Sequence, residues 1–318
     1  MKKSRILLTL LLCFAFAQGL QAQAKNKEVA KLIKEKEYKK ADKILNELVE
    51  EQPVSMRTLL QKVRTEWYFG EHAKSFSYIN QAIQAYPDSA EPWVERAEAY
   101  TLLVEYVNCV NDASKALEMM SDISFEDTIK QRALSVKSTC NSHLNRFDEA
   151  IEGHQTVLKY DSTNIPSLND LAMTYERLKR NDEAVKLLYK IIEVDSMNSG
   201  IYSNLGFVLI SQEKYKEALN VYEAAEKMSP KDPYVLNNMG WCLFKLDRTE
   251  EAIKNIEKSL KFFKSNSYAY YYLGQIFESQ NELDKACEAY KTALKYGFSE
   301  RYGEEAKTLY QKSCLSIK

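Results

Sequence analysis

Glycine and proline are scarce, at 9 and 6 residues in a chain of 318. So few turn-formers leave little room for a strand-and-turn architecture, and no glycine-rich loop is present to cradle a phosphate. Histidine is scarcer still, at His72, His143 and His154. No two of them have the spacing of metal ligands on one helix, and HExxH is absent, so the sequence offers no metal centre. Neither sign of charge dominates: 44 Lys and Arg stand against 45 Asp and Glu. Without a basic stripe, a nucleic-acid role has no electrostatic support. The apolar run from Ile6 to Ala17 is too short to span a membrane.

What the chain does have is a repeat. Between Ser199 and Asp232, Tyr202, Leu205, Gly206 and Leu209 fall at i, i+3, i+4 and i+7, one face of an amphipathic helix. Residues Ser211-Gln212-Glu213-Lys214 interrupt that face, and Tyr215, Ala218, Leu219, Tyr222 and Ala225 resume it on a second helix. Pro230 closes the pair. Aromatic-x2-Leu-Gly, then Ala-x3-aromatic, then Pro, over 34 residues, resembles the tetratricopeptide repeat, a helix–turn–helix unit. Neither helix buries its apolar stripe alone, so such units stack. The resemblance implies an all-α fold, a right-handed superhelical solenoid.

Steps of 34 residues from Ser199 reach repeats at Ile165, Pro233 and Ser267 without insertion. Gln131 begins a weaker one, in which Leu134, Phe147, Ala150 and Val157 hold the pattern. Seven extra residues, Ser124 to Lys130, shift the register, and earlier repeats begin at Ala90, Met56 and, less clearly, Ala22. That makes eight units, the first of them partial. Where each second helix meets the first stand Ala41, Ser75, Cys109, Ala150, Ala184, Ala218, Ala252 and Ala286. A small residue at every such place follows from close helix approach, because a larger side chain would clash.

Ser124-Phe125-Glu126-Asp127 resembles a capping box, with Asp in place of the usual Glu or Gln. It predicts a helix that starts early and runs to about Asn141, roughly two turns longer than its neighbours. Either the stacking bends there, or the segment is a loop excursion with no change of axis. At the other end, Glu304 and Glu305 suit a first turn, and Ala306, Leu309 and Tyr310 share one face. Residues 301–318 therefore read as a capping helix. The expected organisation is a leader at 1–24, units one to three at 25–123, an insertion at 124–130, units four to eight at 131–300, and the cap.

The leader is a signal peptide by pattern: Lys2, Lys3 and Arg5, then the apolar run, then Ala22-Gln23-Ala24 as a small-x-small cleavage site. A lipid anchor on Cys13 is disfavoured, because Leu12 stands before it where a small residue is usual. The expectation is an exported chain, periplasmic or on the cell surface. Five cysteines then remain, Cys109, Cys140, Cys242, Cys287 and Cys314, an odd number at spacings of no metal motif. That argues against a disulfide framework, and Cys109 reads as a buried packing thiol. One pair, Cys287 with Cys314, is left open, since both fall at the same end of the stack.

Acidic pairs such as Asp148-Glu149 and Asp182-Glu183 sit in helical first turns, where negative charge is favoured, and form no catalytic dyad. The chain is expected to be no enzyme and to use no cofactor. In the family it resembles, the first helices line the concave face and carry ligand contacts. The inward places of units two and three hold Arg57, Arg64, Glu91, Glu95 and Glu98. Those of units six to eight hold Ser203, Asn204, Phe207, Tyr234, Asn237, Asn238, Trp241, Phe244, Tyr268, Tyr271 and Tyr272. The second set, aromatic and amide-rich, suits a peptide groove, although packing between successive first helices produces the same composition. The lysines of the family's carboxylate clamp are missing. Asn204-Leu205-Gly206 and Asn238-Met239-Gly240 resemble instead the asparagine ladder in the repeats of O-linked N-acetylglucosamine transferase. Asp170-Leu171-Ala172 is a near match and Tyr272-Leu273-Gly274 departs from it. The expected peptide-binding residues are Asn204, Phe207, Tyr234, Asn237, Asn238, Trp241, Phe244, Tyr268, Tyr271 and Tyr272, with Trp241 the leading anchor. A scaffold for a protein or extended peptide leads. An envelope component of outer-membrane biogenesis and a glycan-binding helper in nutrient uptake are the alternatives.

Overall fold

The structure, a computed structural model, describes residues 20–50, 54–125, 127–299 and 303–315. The leader's basic start and apolar run lie outside the described residues. All regular secondary structure among the described residues is helical. The chain divides into two compact units, residues 1–160 and 161–318.

In the first unit, α1 occupies residues 20–34. It is followed by α2 (Tyr38–Glu50), α3 (Met56–Tyr68), α4 (His72–Ala85) and α5 (Glu91–Leu102), then α6 (Tyr106–Met119), α7 (Thr128–His143) and α8 (Phe147–Tyr160). In the second unit come α9 (Ile165–Arg177), α10 (Asn181–Val194), α11 (Ser199–Ser211) and α12 (Tyr215–Met228). They are followed by α13 (Pro233–Lys245), α14 (Thr249–Phe262), α15 (Ser267–Ser279) and α16 (Leu283–Lys295). Last is α17 (Glu305–Tyr310), which runs into a π-helical turn at Gln311–Leu315.

Local chemistry sets where the first helices start. Ser55, Asp127, Asn164, Asp232 and Asn266 each accept a hydrogen bond from a backbone N–H of the helix they precede. Pro92, Pro166 and Pro233 stand in the first turn of α5, α9 and α13, where a missing N–H is tolerated. Between the two helices of each unit the chain reverses through one residue in the left-handed region. Those residues are Lys36, Gly70, Val104, Asn145, Lys179, Glu213, Asp247 and Asn281.

Packing within a unit is close. Ala41, Ser75, Cys109, Ala150, Ala184, Ala218, Ala252 and Ala286 are all 0 % exposed. The facing first helix is small too: a Cβ on Gly206 would stand 2.6 Å from the Tyr222 ring, and one on Gly274 would stand 2.4 Å from Tyr290. Both distances are far inside van der Waals contact, so these glycines admit the aromatic ring of the second helix.

Two expectations are corrected here. The seven-residue insertion lengthens the next helix less than the capping-box reading implied: α7 has 16 residues, where α5 has 12 and α9 has 13. Asp127, not Ser124, is the cap, because its carboxylate accepts from both Ile129 N (2.8 Å) and Lys130 N (3.1 Å). The Lys130 ammonium then donates to the carbonyls of Met120 (2.8 Å) and Ile123 (2.7 Å), fastening the loop to the helix that precedes it. The cysteines also differ. Cys109 is bonded to Cys140 and Cys287 to Cys314, which leaves Cys242 as the free thiol among the described residues. Cys109 is thus both the small packing residue and a bridge partner. Burial pushes the Cys242 thiol up to about 12, so it stays protonated and inert in the folded chain.

Overpacking the helix contact with Ala252→Leu is expected to destabilise its unit by about 1–3 kcal/mol. Urea unfolding read together with local hydrogen exchange checks this, since repeat arrays unfold in parts. A change near zero would mean that α13 and α14 do not meet at Ala252. Cys140→Ala should cost ~3–4 kcal/mol, from the loop-closure entropy of a bridge between residues 31 apart. Thermal unfolding of that variant beside the oxidised parent measures it, and equal midpoints would rule the bridge out.

Candidate peptide-binding face

The inward stripes of α11, α13 and α15 carry all ten expected residues, but they do not share one fate. Phe207 and Tyr234 are exposed, at 41 % and 54 %. Asn204, Asn238, Phe244, Tyr268 and Tyr271 are half-buried. Asn237, Trp241 and Tyr272 are buried, at 2 %, 8 % and 6 % exposure. These last three offer a partner little surface.

Trp241 shows why. Its ring stacks on Tyr272 of the next first helix, centroids 4.2 Å apart and planes within 6°. Phe244 lies 5.5 Å away, and the Lys245 ammonium sits 4.7 Å from the indole centroid. Such stacks and cation–π contacts hold neighbouring first helices together. Trp241 is therefore a packing residue, and its reading as the leading anchor is corrected. Tyr268 and Tyr271 pack at 5.4 and 4.5 Å on Phe298, which is 1 % exposed, and so belong mainly to the covered end of the array. Burial raises the Tyr271 hydroxyl to about 12.

The asparagines are engaged as well. Asn204 donates to the Oδ1 of Asn169 on α9 at 2.7 Å, a link between successive first helices. Asn169 was missed because the ladder pattern looks one residue later, at Asp170. Asn238 donates to the Tyr222 hydroxyl on α12 at 3.1 Å, so it faces the second helix rather than open space. Burial raises the Tyr222 pKa, and that phenol stays neutral. The amides of Asn237 and Asn238 meet each other at 3.4 Å.

On the charged face of the first unit, Arg64, Glu95 and Glu98 are held in ion pairs. Glu95, 6 % exposed, takes Arg64 at 2.6 Å and Arg132 at 2.9 Å, and Arg132 also donates two bonds to Glu98 at 3.0 and 2.7 Å. Burial opposes the charge on Arg132, but Glu98 and Glu95 outweigh it and raise its pKa. Among the described residues no group of three or more His, Cys, Asp or Glu is placed to hold a metal ion.

Residues 167–194, 196–265 and 244–302 match tetratricopeptide repeat models. The second unit carries tetratricopeptide repeats over these residues. The fold is that of tetratricopeptide solenoids. A tetratricopeptide repeat protein from Parabacteroides merdae aligns over 81 % of this chain and 98 % of its own, at 16 % identity and a TM-score of 0.62. A chain of the APC/C hetero-tetramer Cut9–Hcn1 aligns over 87 % of this chain and 52 % of its own, at 15 % identity and 0.68. Pseudomonas aeruginosa pilF aligns over 74 % and 100 %, at 17 % identity and 0.56. At such identities the likeness concerns the fold alone. No curated protein matches the chain in sequence.

If Trp241 is a packing residue of the tetratricopeptide array, Trp241→Ala should destabilise the second unit by about 3–5 kcal/mol. Hydrogen exchange should then rise in α13 and α15. Unchanged protection there, with only ligand affinity lost, would return Trp241 to the binding face.

Proposed function

We propose that this chain is an exported, non-catalytic scaffold whose second unit binds an extended peptide or protein segment along α11 and α13. The observation that carries the reading is the exposure of Phe207 and Tyr234, large rings on the inward stripes of neighbouring first helices. One turn before Phe207 on α11 lies the half-buried amide of Asn204, whose remaining hydrogen-bonding capacity suits a peptide backbone. Bonds of that kind contribute about 0.5–1.5 kcal/mol each, so they orient a peptide and the rings supply the affinity. Charge has little part in it, because the inward residues of α11 and α13 named above carry none.

Export is supported by two independent features. The leader has the order of charged start, apolar run and Ala22-Gln23-Ala24. Two disulfides within one chain fit an oxidising compartment. Cleavage after Ala24 would leave Asn26 in place, and its bonds to Thr58 at 3.1 and 3.2 Å would keep the shortened α1 docked.

The test uses a library of extended peptides displayed against the chain. Phe207→Ala and Tyr234→Ala are each expected to weaken the selected peptide by about 2 kcal/mol, with little change on adding salt. N-terminal sequencing of the exported form should begin near Lys25. Peptide binding that survives both substitutions, or that collapses in salt, would move the face elsewhere.

A further inference from the structure

The two disulfides sit in different surroundings. Cys109 and Cys140 are both 0 % exposed, and they belong to one core cluster built by α6 and α7 with Ala113 and Val136. Cys287 and Cys314 are both half-buried. Cys287 is on α16, but Cys314 lies in the π-helical turn at Gln311–Leu315, beyond the six residues of α17. Exchange needs a thiolate to reach a bridge sulfur, so an accessible disulfide is labile where a sealed one is not.

The bridges also differ in what they hold. A helix of six residues is too short to keep its shape alone, so α17 depends on its attachments. Ala306, 0 % exposed, packs with Ala293 and Phe298, and Ser313 Oγ donates to Glu278 on α15 at 2.5 Å. The bridge from Cys314 to Cys287 adds a covalent tie to α16. Beneath the segment, Phe298 lies against Tyr268 and Tyr271. The helices under it have their own contact, since the Tyr290 hydroxyl of α16 donates to the other Glu278 oxygen at 2.6 Å. Release of residues 303–315 therefore leaves α15 and α16 joined.

We propose that Cys287–Cys314 is a reducible latch: a protein dithiol opens it, residues 303–315 lift from α16, and Phe298 and Tyr271 are uncovered. One thiolate of the dithiol attacks a latch sulfur, and the other latch sulfur leaves as a thiolate. The donor's second thiol then resolves the mixed disulfide. The chain ends with two thiols, having gained two electrons and two protons, and the donor ends with a disulfide. Cys242 is 0 % exposed, so exchange does not pass to it. In an oxidising compartment the latch stays closed until such a donor arrives, and a disulfide donor closes it again. The sealed Cys109–Cys140 bridge does not take part. The inference concerns the cap of the second unit and requires no peptide partner.

The experiment treats the folded full chain with reduced thioredoxin as the dithiol, then with iodoacetamide, and reads the labelled cysteines by mass spectrometry. Cys287 and Cys314 should be labelled while Cys109 and Cys140 stay bridged. Hydrogen exchange should quicken in Glu305–Tyr310 by about a hundredfold, the order set by closing a loop of 27 residues, with α13 to α15 still protected. Glutathione disulfide should restore the slow exchange. Cys314→Ser should show the fast exchange without any reductant, and the reversible arm keeps the test independent of how that variant folds. Equal labelling of all four bridge cysteines overturns the proposal, as does no labelling of Cys287 and Cys314. So does unchanged protection of α17 after reduction, which would mean that the cap holds without its bridge. Loss of protection in α15 together with α17 overturns it too, because the bond would then hold the repeat and not a latch.

Discussion

At Ala41, Ser75, Cys109, Ala150, Ala184, Ala218, Ala252 and Ala286 the second helix of each unit meets the first with no exposed surface. No side chain at that place is larger than a thiol. The short distance between helix axes that results sets everything around it. It lets Tyr222 lie over Gly206 and Tyr290 over Gly274, so a large ring fills the groove that the small residue leaves. It also fixes which way the first helix turns its remaining faces, one toward the next unit and one inward. Because each unit touches only its neighbours, this contact recurs as a local term rather than as one shared core.

The two units handle polar groups differently, and that bears on what each can bind. In the first, buried charge is paired: Lys62, 3 % exposed, lies between Asp42 at 2.5 Å and Glu66 at 2.8 Å. Arg96 likewise holds Asp112 through two bonds at 2.6 and 2.9 Å. Breaking such a pair strands a buried charge, so these groups are committed to the fold and are poor candidates for exchange with a ligand. In the second unit the inward stripe is neutral, and its rings divide between those that stack on the next helix and those that do not. A neutral surface has less desolvation to overcome when a partner covers it.

Much of this was legible in the residues. The 34-residue period, the eight small places and the prolines at the joints all follow from composition at fixed spacing. What was not legible has a common cause. An inward aromatic in a stacked array has two destinations, the groove or the adjacent first helix, and spacing does not distinguish them. Trp241 took the second because Tyr272 stands opposite it at the same level, whereas Phe207 has no such partner and remains exposed. Asn169 was hidden by a one-residue offset from the ladder position. Cys109 was hidden because packing alone accounted for it, yet a residue small enough for the contact can also reach Cys140 once the insertion sets α7 beside α6. The left-handed turn position has no residue signature at all, since Lys, Glu, Asp, Asn, Gly and Val all occupy it.

The positions of the disulfides follow from the one-dimensional character of the array. A unit in the middle is held from both sides, so its loss requires breaking two interfaces. The end of the stack lacks one neighbour, since no further unit follows α16 among the described residues, and at the insertion the spacing between units changes. The bridges fall at those places. Cys109–Cys140 joins α6 to α7 across the inserted residues, and Cys287–Cys314 ties the terminal turn to α16. At the end, Ser313 and Tyr290 both donate to Glu278, at 2.5 and 2.6 Å, so the terminal turn is also hydrogen-bonded to α15. Each bridge spans about one repeat, 31 and 27 residues, and should contribute ~3–4 kcal/mol where it stands. A bridge that short cannot couple distant repeats. Its gain stays local, in the joint that it spans, as expected for a chain of nearest-neighbour contacts.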